Sequence, residues 1–389
     1  MARLSLWLPP FSPDYSGATA VLFDLNTITA MHDASGCTGN YTGYDEPRWY
    51  GSKSGVFCSG LRQIDAVLGD DEKLIKKMIA AAKDIKPDLM ALIGSPVPMV
   101  IGADLEGIAV ELEDRTGLPC FGFSTTGTSY YDKGAFMAAK ALIDRFTEKR
   151  EAIAGRVNIL GAIPMDFGYG EEIKNVKQIL TDHGYEIGLT LAMDYTLDDL
   201  KAAASAKVNL AISRFGYQTA VHMEKKFGTP YLCGFPAGEK GLETWLDALK
   251  RVEETGVSEV LNGEGTINPE ADGVLIIGEQ VMSNAIRNAL EREYGMKNIT
   301  VGCLYGTEKG LKREGDFHLP NEKTIKQEMN RPEYTLIIAD PFMKVLLPED
   351  TDKEFLPFSQ YAVSSKLGKD GMACLSGIEF NKWFKKKEE

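Results

Sequence analysis

Short runs of β-branched and other apolar residues recur along the chain, closed each time by Gly, Pro, Ser or Asp. They predict strands at Val21–Asp24, Leu89–Gly94, Cys120–Ser124, Val157–Ala162, Val208–Ser213, Tyr231–Gly234, Val274–Gly278, Thr300–Leu304 and Thr335–Ala339. The runs do not alternate with polar residues, which suits strands covered on both faces of a parallel sheet. Between them the apolar positions take the helical period. Helices are expected at Glu72–Ile85, Asp104–Thr116, Lys133–Phe146, Gly170–His183, Tyr217–Phe227, Leu242–Glu253 and Gln280–Tyr294. Strand and helix in repeated succession imply right-handed βαβ crossovers, hence an α/β chain of doubly wound, Rossmann-like domains with mostly parallel sheets. The polar stretch Glu148–Arg156 and the segment Asn262–Asp272, with Gly263, Gly265 and Pro269, read as linkers. They divide the chain into three domains, about 1–150, 151–265 and 266–389, the last ending in a helical segment Lys369–Phe384 that packs back.

A chain of 389 residues suits this partition, because single cores stop growing at roughly 250–300 residues. The net charge is −13 without a Lys/Arg stripe, and the short basic run Lys385, Lys386 and Lys387 is followed by acids. Nucleic acid, which needs a clustered positive face, is therefore not an expected partner. Docking to a partner with a basic face fits the acidic balance, and so does plain solubility. No apolar run approaches the roughly 18–20 residues of a membrane helix, and the N-terminus lacks a cleavage pattern, so a cytoplasmic location is expected.

Six cysteines (Cys37, Cys58, Cys120, Cys233, Cys303 and Cys374) are scattered without a CxxC pair. This spacing excludes a zinc ribbon and a ferredoxin-type run. Any metal site must gather cysteines distant in sequence or from another chain. The turns after the strands lack both GxGxxG and GxxxxGK[ST], so the chain is not expected to be a dinucleotide enzyme or its own ATPase. In His32-Asp-Ala-Ser-Gly36-Cys37, the glycine lets backbone approach a bulky group and the thiolate is a soft ligand suited to iron–sulfur. A buried, inert thiol in a glycine turn is the alternative.

This segment resembles the HGxxGC motif of the nitrogenase component 1-type oxidoreductases. Phe57-Cys58-Ser-Gly-Leu-Arg-Gln-Ile-Asp65 to Gly69, Ser95-Pro-Val-Pro-Met-Val-Ile101-Gly102-Ala-Asp104-Leu105 and Phe227-Gly-Thr-Pro230 to Pro236 are similar to later segments of that family, in the same order. The resemblance implies that Cys37 binds a bridging Fe–S cluster, of [4Fe–4S] type, beside Gly36. It also shows departures. Where the family carries a third cluster cysteine this chain has Pro96, and Leu8–Gly17 offers only Ser12, Asp14 and Ser16 in place of an N-terminal one. The cluster is then expected to be shared with another component 1-type subunit, as a homodimer or heterotetramer. Cys58 is the local candidate for a second ligand, with Asp33 and Asp14 as oxygen alternatives. An ATP-dependent iron protein would supply the electrons. No histidine follows His318, so an iron–molybdenum cofactor, and dinitrogen reduction with it, are not expected. The substrate class stays open among small unsaturated molecules, tetrapyrroles and thioethers. A scaffold for cofactor assembly, a non-catalytic subunit, and a non-redox metal- or tetrapyrrole-binding protein are the rival roles.

Other candidates come from positions at strand ends. Ser124, Thr125 and Ser129 precede a helix and would cradle an anion or a carboxylated substrate, or else cap the helix. Arg214, with Tyr217 and His222, opens another helix where open α/β sheets place ligands. His222 also reads as a satisfied structural histidine. Tyr41, Tyr44, Arg48 and Trp49 would line a pocket beside the cluster loop or anchor an interface. Cys120, Cys233 and Cys303 read as core thiols.

Overall fold

Fourteen strands form three parallel sheets in the computed structural model, which is described over residues 5–50, 52, 54–69, 71–263 and 268–385, without the side chains of residues 369–371. Gly265 of the second linker and Lys386 and Lys387 of the basic run lie outside the described residues. The first sheet takes β1 (Thr27–Met31), β2 (Gly55–Cys58), β3 (Leu89–Ile93) and β4 (Cys120–Phe123) in the order β2-β1-β3-β4. The second takes β5 (Ile153–Leu160), β6 (Glu186–Thr190), β7 (Ala206–Ala211), β8 (Tyr231–Cys233) and β9 (Glu259–Val260), ordered β6-β5-β7-β8-β9. The third takes β10 (Gly273–Gly278), β11 (Ile299–Cys303), β12 (Phe317–His318), β13 (Tyr334–Ala339) and β14 (Glu354–Pro357), ordered β12-β11-β10-β13-β14. In each sheet the chain starts at an inner strand and reverses direction, which opens a crevice at the carboxyl ends of the strands. The α/β, Rossmann-like class read from the sequence is the observed one.

The central strands β1, β3 and β10 are buried at every position, β3 and β10 as unbroken apolar runs and β1 with Thr27 and Thr29 among its apolar residues. The helices between them cover both faces. The helix Gln280–Tyr294 has the predicted ends, and the other helices predicted between strands differ by one to three residues at one or both ends.

One predicted strand is a helix. Val21–Asp24 falls at the end of the helix Asp14–Leu22 and the turn after it, and the first strand is Thr27–Met31. All nine residues of that helix are buried, so it carries no polar stripe to reveal its period. It lies against the helix Tyr131–Phe146 at very short range. A Cβ on Gly17 would sit 1.9 Å from the Tyr131 carbonyl oxygen, and one on Gly134 1.8 Å from that of Asp14. Only glycine at both positions permits this crossing.

The largest apolar core runs under all three sheets. A second joins the second and third sheets with the C-terminal helix Ile378–Lys385, and a third fills the outer face of the first sheet. No helix among the described residues is long and apolar enough to cross a membrane.

Candidate functional site

The loops after β2, β1 and β3, three adjacent strands, meet at the carboxyl edge of the first sheet. After β1 the chain runs through His32 and Asp33 into a five-residue helix, Gly36–Asn40, that carries Cys37. The Asp33 carboxylate fixes this turn by accepting from the Ser35 and Thr38 N–H groups at 3.0 Å and from the Thr38 hydroxyl at 3.2 Å. Ser35 is held at φ 114°, where side chains are rarely found, so the turn is imposed by its surroundings. The Asp33 carbonyl in turn accepts from Cys58 Sγ at 3.3 Å and from Leu61 N–H at 2.8 Å, which ties the loop after β2 to the loop after β1.

Cys37 and Cys58 are therefore neighbours although 21 residues separate them, and Cys37 is half-buried against the Tyr15 and Ser95 hydroxyls. Ser95 stands two residues after β3, and its Oγ donates to the His32 carbonyl at 2.9 Å. Its hydroxyl, one residue before Pro96, is the group that faces Cys37. Burial, with Asp33 close by, pushes the Cys37 thiol above its usual range. A metal would displace that proton, so metal loading here strengthens as pH rises. Space is available: a Cβ on Gly36 would meet nothing within 4 Å.

Two thiols are half of the four that a [4Fe–4S] cluster takes. Among the described residues, no group of three or more His, Cys, Asp or Glu side chains converges as a metal site. The donor set thus fits half of a cluster, with the Ser95 and Tyr15 oxygens beside it. Asp14, an oxygen alternative by sequence, is engaged elsewhere. Its carboxylate accepts from the Gly127 and Thr126 N–H groups at 2.7 and 3.1 Å.

That contact also answers for the loop 124–129. The anion its backbone holds is the chain's own Asp14. The Thr125 hydroxyl donates to the Gly94 carbonyl at 2.8 Å, the Ser129 hydroxyl accepts from Lys133 at 3.3 Å, and Ser124 is exposed. His222 Nε2 bonds Asp144 at 2.8 Å, a link between two helices. Tyr41 is fully buried on Glu46, and Arg48 pairs with Glu46 at 2.8 Å and Asp24 at 3.0 Å, so of that group Tyr44 is the one with a largely exposed ring. Cys233 and Cys303 are buried and Cys120 half-buried. A cavity of about 210 Å3 flanks the Cys37 loop between His32, Ser59 and Gly102, and burial holds His32 below the usual imidazole range.

Behind the Cys37 loop, Asp45 sits under the hydroxyls of Ser16 and Ser12 at 2.6 and 3.0 Å and the Asn40 amide at 2.9 Å. Burial outweighs these donors and pushes its carboxyl up to about 6 from 3.8. The folded state therefore binds more protons than the unfolded one between these values, and stability falls as pH rises through them. Asp45→Asn is expected to flatten this part of the stability profile by up to roughly 3 kcal/mol, as about 2 pKa units imply. Urea unfolding at pH 4 and pH 7 checks this, and an unchanged slope would reject the assignment.

At the place where the three sheets converge the sequence singled out Arg214 but not the acids around it. Asp166 follows β5, Glu279 follows β10 and Asp340 follows β13, the first half-buried and the other two buried, and burial raises all three carboxyls. Tyr131 donates its hydroxyl to Asp166. Glu279 accepts from Met282 N–H at 2.8 Å and from Arg214 N–H at 2.7 Å. Arg214 pairs with Asp132 beside the first sheet, and its Nη2 with Glu308 beyond β11 at 2.9 Å. One guanidinium from the second sheet thus grips side chains belonging to the other two. A usable signal existed: each of these acids comes within a few residues of a buried apolar run, at the end where such folds bind ligands.

Residues 14–267 match the family model described as nitrogenase component 1 type oxidoreductase. The chain is 24% identical to the nitrogenase molybdenum-iron protein alpha chain of Clostridium pasteurianum over 348 residues, 83% of this chain and 64% of that protein. It is 24% identical to a subunit of the light-independent protochlorophyllide reductase of Nostoc punctiforme, over 67% of this chain and 57% of that one. It is 28% identical to the nitrogenase iron-molybdenum cofactor biosynthesis protein NifE of Clostridium pasteurianum, over 56% and 48% respectively. The chain thus spans about half to two-thirds of the length of these relatives. A solved structure titled nitrogenase Cp1 at pH 5 superposes with a TM-score of 0.70 at 15% identity, over 100% of this chain and 89% of that one, and shares its fold.

Proposed function

This chain belongs to the nitrogenase component 1 type oxidoreductases, and we propose from that premise that it is the component 1-type subunit of a nitrogenase-like reductase. It receives low-potential electrons from an ATP-dependent iron protein through an Fe–S cluster and directs them to a substrate other than dinitrogen. The observation that carries this reading is the meeting of Cys37 and Cys58 at one sheet edge. A bound cluster supplies one-electron transfer at low potential. The chain's own residues hold it: Cys37 and Cys58 as thiolates, Asp33 fixing the helix Gly36–Asn40, and the Tyr15 and Ser95 hydroxyls lying against the Cys37 sulfur.

The other half of the ligand set comes from a second component 1-type subunit, for which an apolar face flanks the loop. The short helix Gln63–Leu68 has no buried residue and exposes Val67 (74%), while the helix Pro96–Ile101 exposes Val100 (77%). Ala66 and Gly69 on one side and Ile101 and Gly102 on the other border the cavity beside the Cys37 loop, and exposed apolar residues next to it suit a protein contact. The substrate, a small unsaturated molecule or part of a tetrapyrrole, enters the crevice where the sheets converge. Of the residues expected to hold it, Ser124 is free to do so, while Thr125, Ser129 and Arg214 are engaged within the fold. No iron–molybdenum cofactor is assigned, since no histidine follows His318.

Val100→Glu places a charge in this apolar face while leaving both thiols intact. It is expected to weaken self-association by about 100-fold or more, as burying an unpaired charge costs several kcal/mol. The signal of the reduced cluster in electron paramagnetic resonance should fall in proportion. Sedimentation velocity and the spectrum are read on the same sample. Unchanged assembly with an unchanged spectrum would sink the shared-cluster reading.

A further inference from the structure

A second cavity, of about 140 Å3, lies between the second and third sheets, with Asp166, Phe167, Met282, Phe358, Ser359 and Cys374 among its walls. Two of these walls carry buried oxygens without a hydrogen-bond partner, Asp166 Oδ2 and Ser359 Oγ. The other Asp166 oxygen takes the Tyr131 hydroxyl, and nearby Ser213 gives its own to the Gly161 carbonyl at 3.0 Å. Leaving a buried polar atom unpaired is costly. Two at one cavity indicate a group that arrives from outside the chain.

The walls narrow what that group is. Among the described residues none of them is Lys, Arg or His, whereas Glu171 and Glu172 join Asp166. An anion would find no balancing charge. Glu172 already accepts from the Leu375 and Ser376 N–H groups. Asp166 lies half-buried beside Glu279 with no cation bonded to it among the described residues, and burial raises its carboxyl, which favours the protonated form that donates a hydrogen bond. Phe167, Phe358 and the Met282 thioether offer apolar surface, and a cavity of about 150 Å3 is known to hold a benzene ring.

We propose that this cavity binds an uncharged ligand with a flat apolar body and a hydrogen-bond acceptor, a carbonyl or ring nitrogen, that pairs with Asp166 and Ser359. The proposal rests on the reading of the crevice as the substrate's place and names the class of that substrate. The bound part matches one ring in size, either a whole small molecule or one edge of a larger one.

Benzamide is the probe, titrated into the full chain and followed by ligand-observed NMR. It is expected to bind wild type, to lose about tenfold or more in affinity in Asp166→Ala, and to keep it within about threefold in Asp166→Asn, whose amide still donates. Ser359→Ala, a milder change, should lose about threefold. Benzoate, the anion of the same shape, should not bind. Undetectable wild-type binding, equal binding in the alanine variants, or tighter binding of benzoate or of cationic benzamidine would overturn the proposal. Iron is assayed on the same samples: its absence would speak against the reductase reading, and the benzamide result stands apart from it.

Discussion

Arg214→Ala is expected to cost roughly 3–5 kcal/mol of folding stability, the range for breaking a buried ion pair from one side. The Arg214 side chain is 15% exposed and that of Asp132 3%, so bulk water has little access to the pair. Alanine leaves the Asp132 carboxylate buried and uncompensated. The Glu308 contact is partly exposed and adds less. The bond from Arg214 N–H to Glu279 survives, because it is backbone. The loss is therefore specific to the guanidinium. Arg214→Lys, with one compact charge and no fork, should satisfy one of the two acids and fall between alanine and wild type. Pairing Arg214→Ala with Asp132→Asn should recover part of the loss, as the buried charge is then gone. Urea unfolding of the four proteins tests this. A loss under about 1 kcal/mol in Arg214→Ala would mean that the three sheets are held by apolar packing alone.

The second large effect concerns Cys37. Its replacement by alanine removes a cluster ligand on the proposed reading, and with it the cluster, while the thiol's packing against Tyr15 and Ser95 contributes little to stability. The fold should survive. Its N-terminal turn is set by Asp33 capping and by the β1 and β2 connections, none of which uses the Cys37 sulfur. Loss of metal without loss of fold is what separates a ligand from a core thiol such as Cys233, which is fully buried and whose thiol burial raises far above its usual range.

Much of the fold was legible because buried parallel strands leave unbroken apolar runs. β3, β10 and β13 are visible that way, and amphipathic helices such as Glu171–Asp182 show their period. The misread segment is the one where both signals fail: the helix Asp14–Leu22 is buried on every side and looks like a strand, while β1 carries two threonines in its five residues and so lacks an unbroken apolar run. Edge strands β9 and β12, two residues each, leave no pattern.

The site was partly legible for a different reason. Cys37 was reached through its motif. Cys58 was the local candidate for a second ligand, but Ser95 and Tyr15 were not reached, because they come from the loop after β3 and from the helix Asp14–Leu22, which no local spacing brings to Cys37. The partner of the loop 124–129 could not be read either: Asp14 lies 112 and 113 positions away from Thr126 and Gly127. The acids Asp166, Glu279 and Asp340 were open to inference, since each stands just past a predicted strand. Their significance emerges only when the three strand ends prove to face one another.

The most direct test of the central claim is the amount of iron and acid-labile sulfide per chain after strictly anaerobic purification, compared between wild type and Cys37→Ala. The account predicts about two irons per chain in wild type, half of a four-iron cluster shared between two subunits, and none in the folded variant. Absence of iron from both, after reconstitution with iron and sulfide, would contradict it and remove Cys37 from the site.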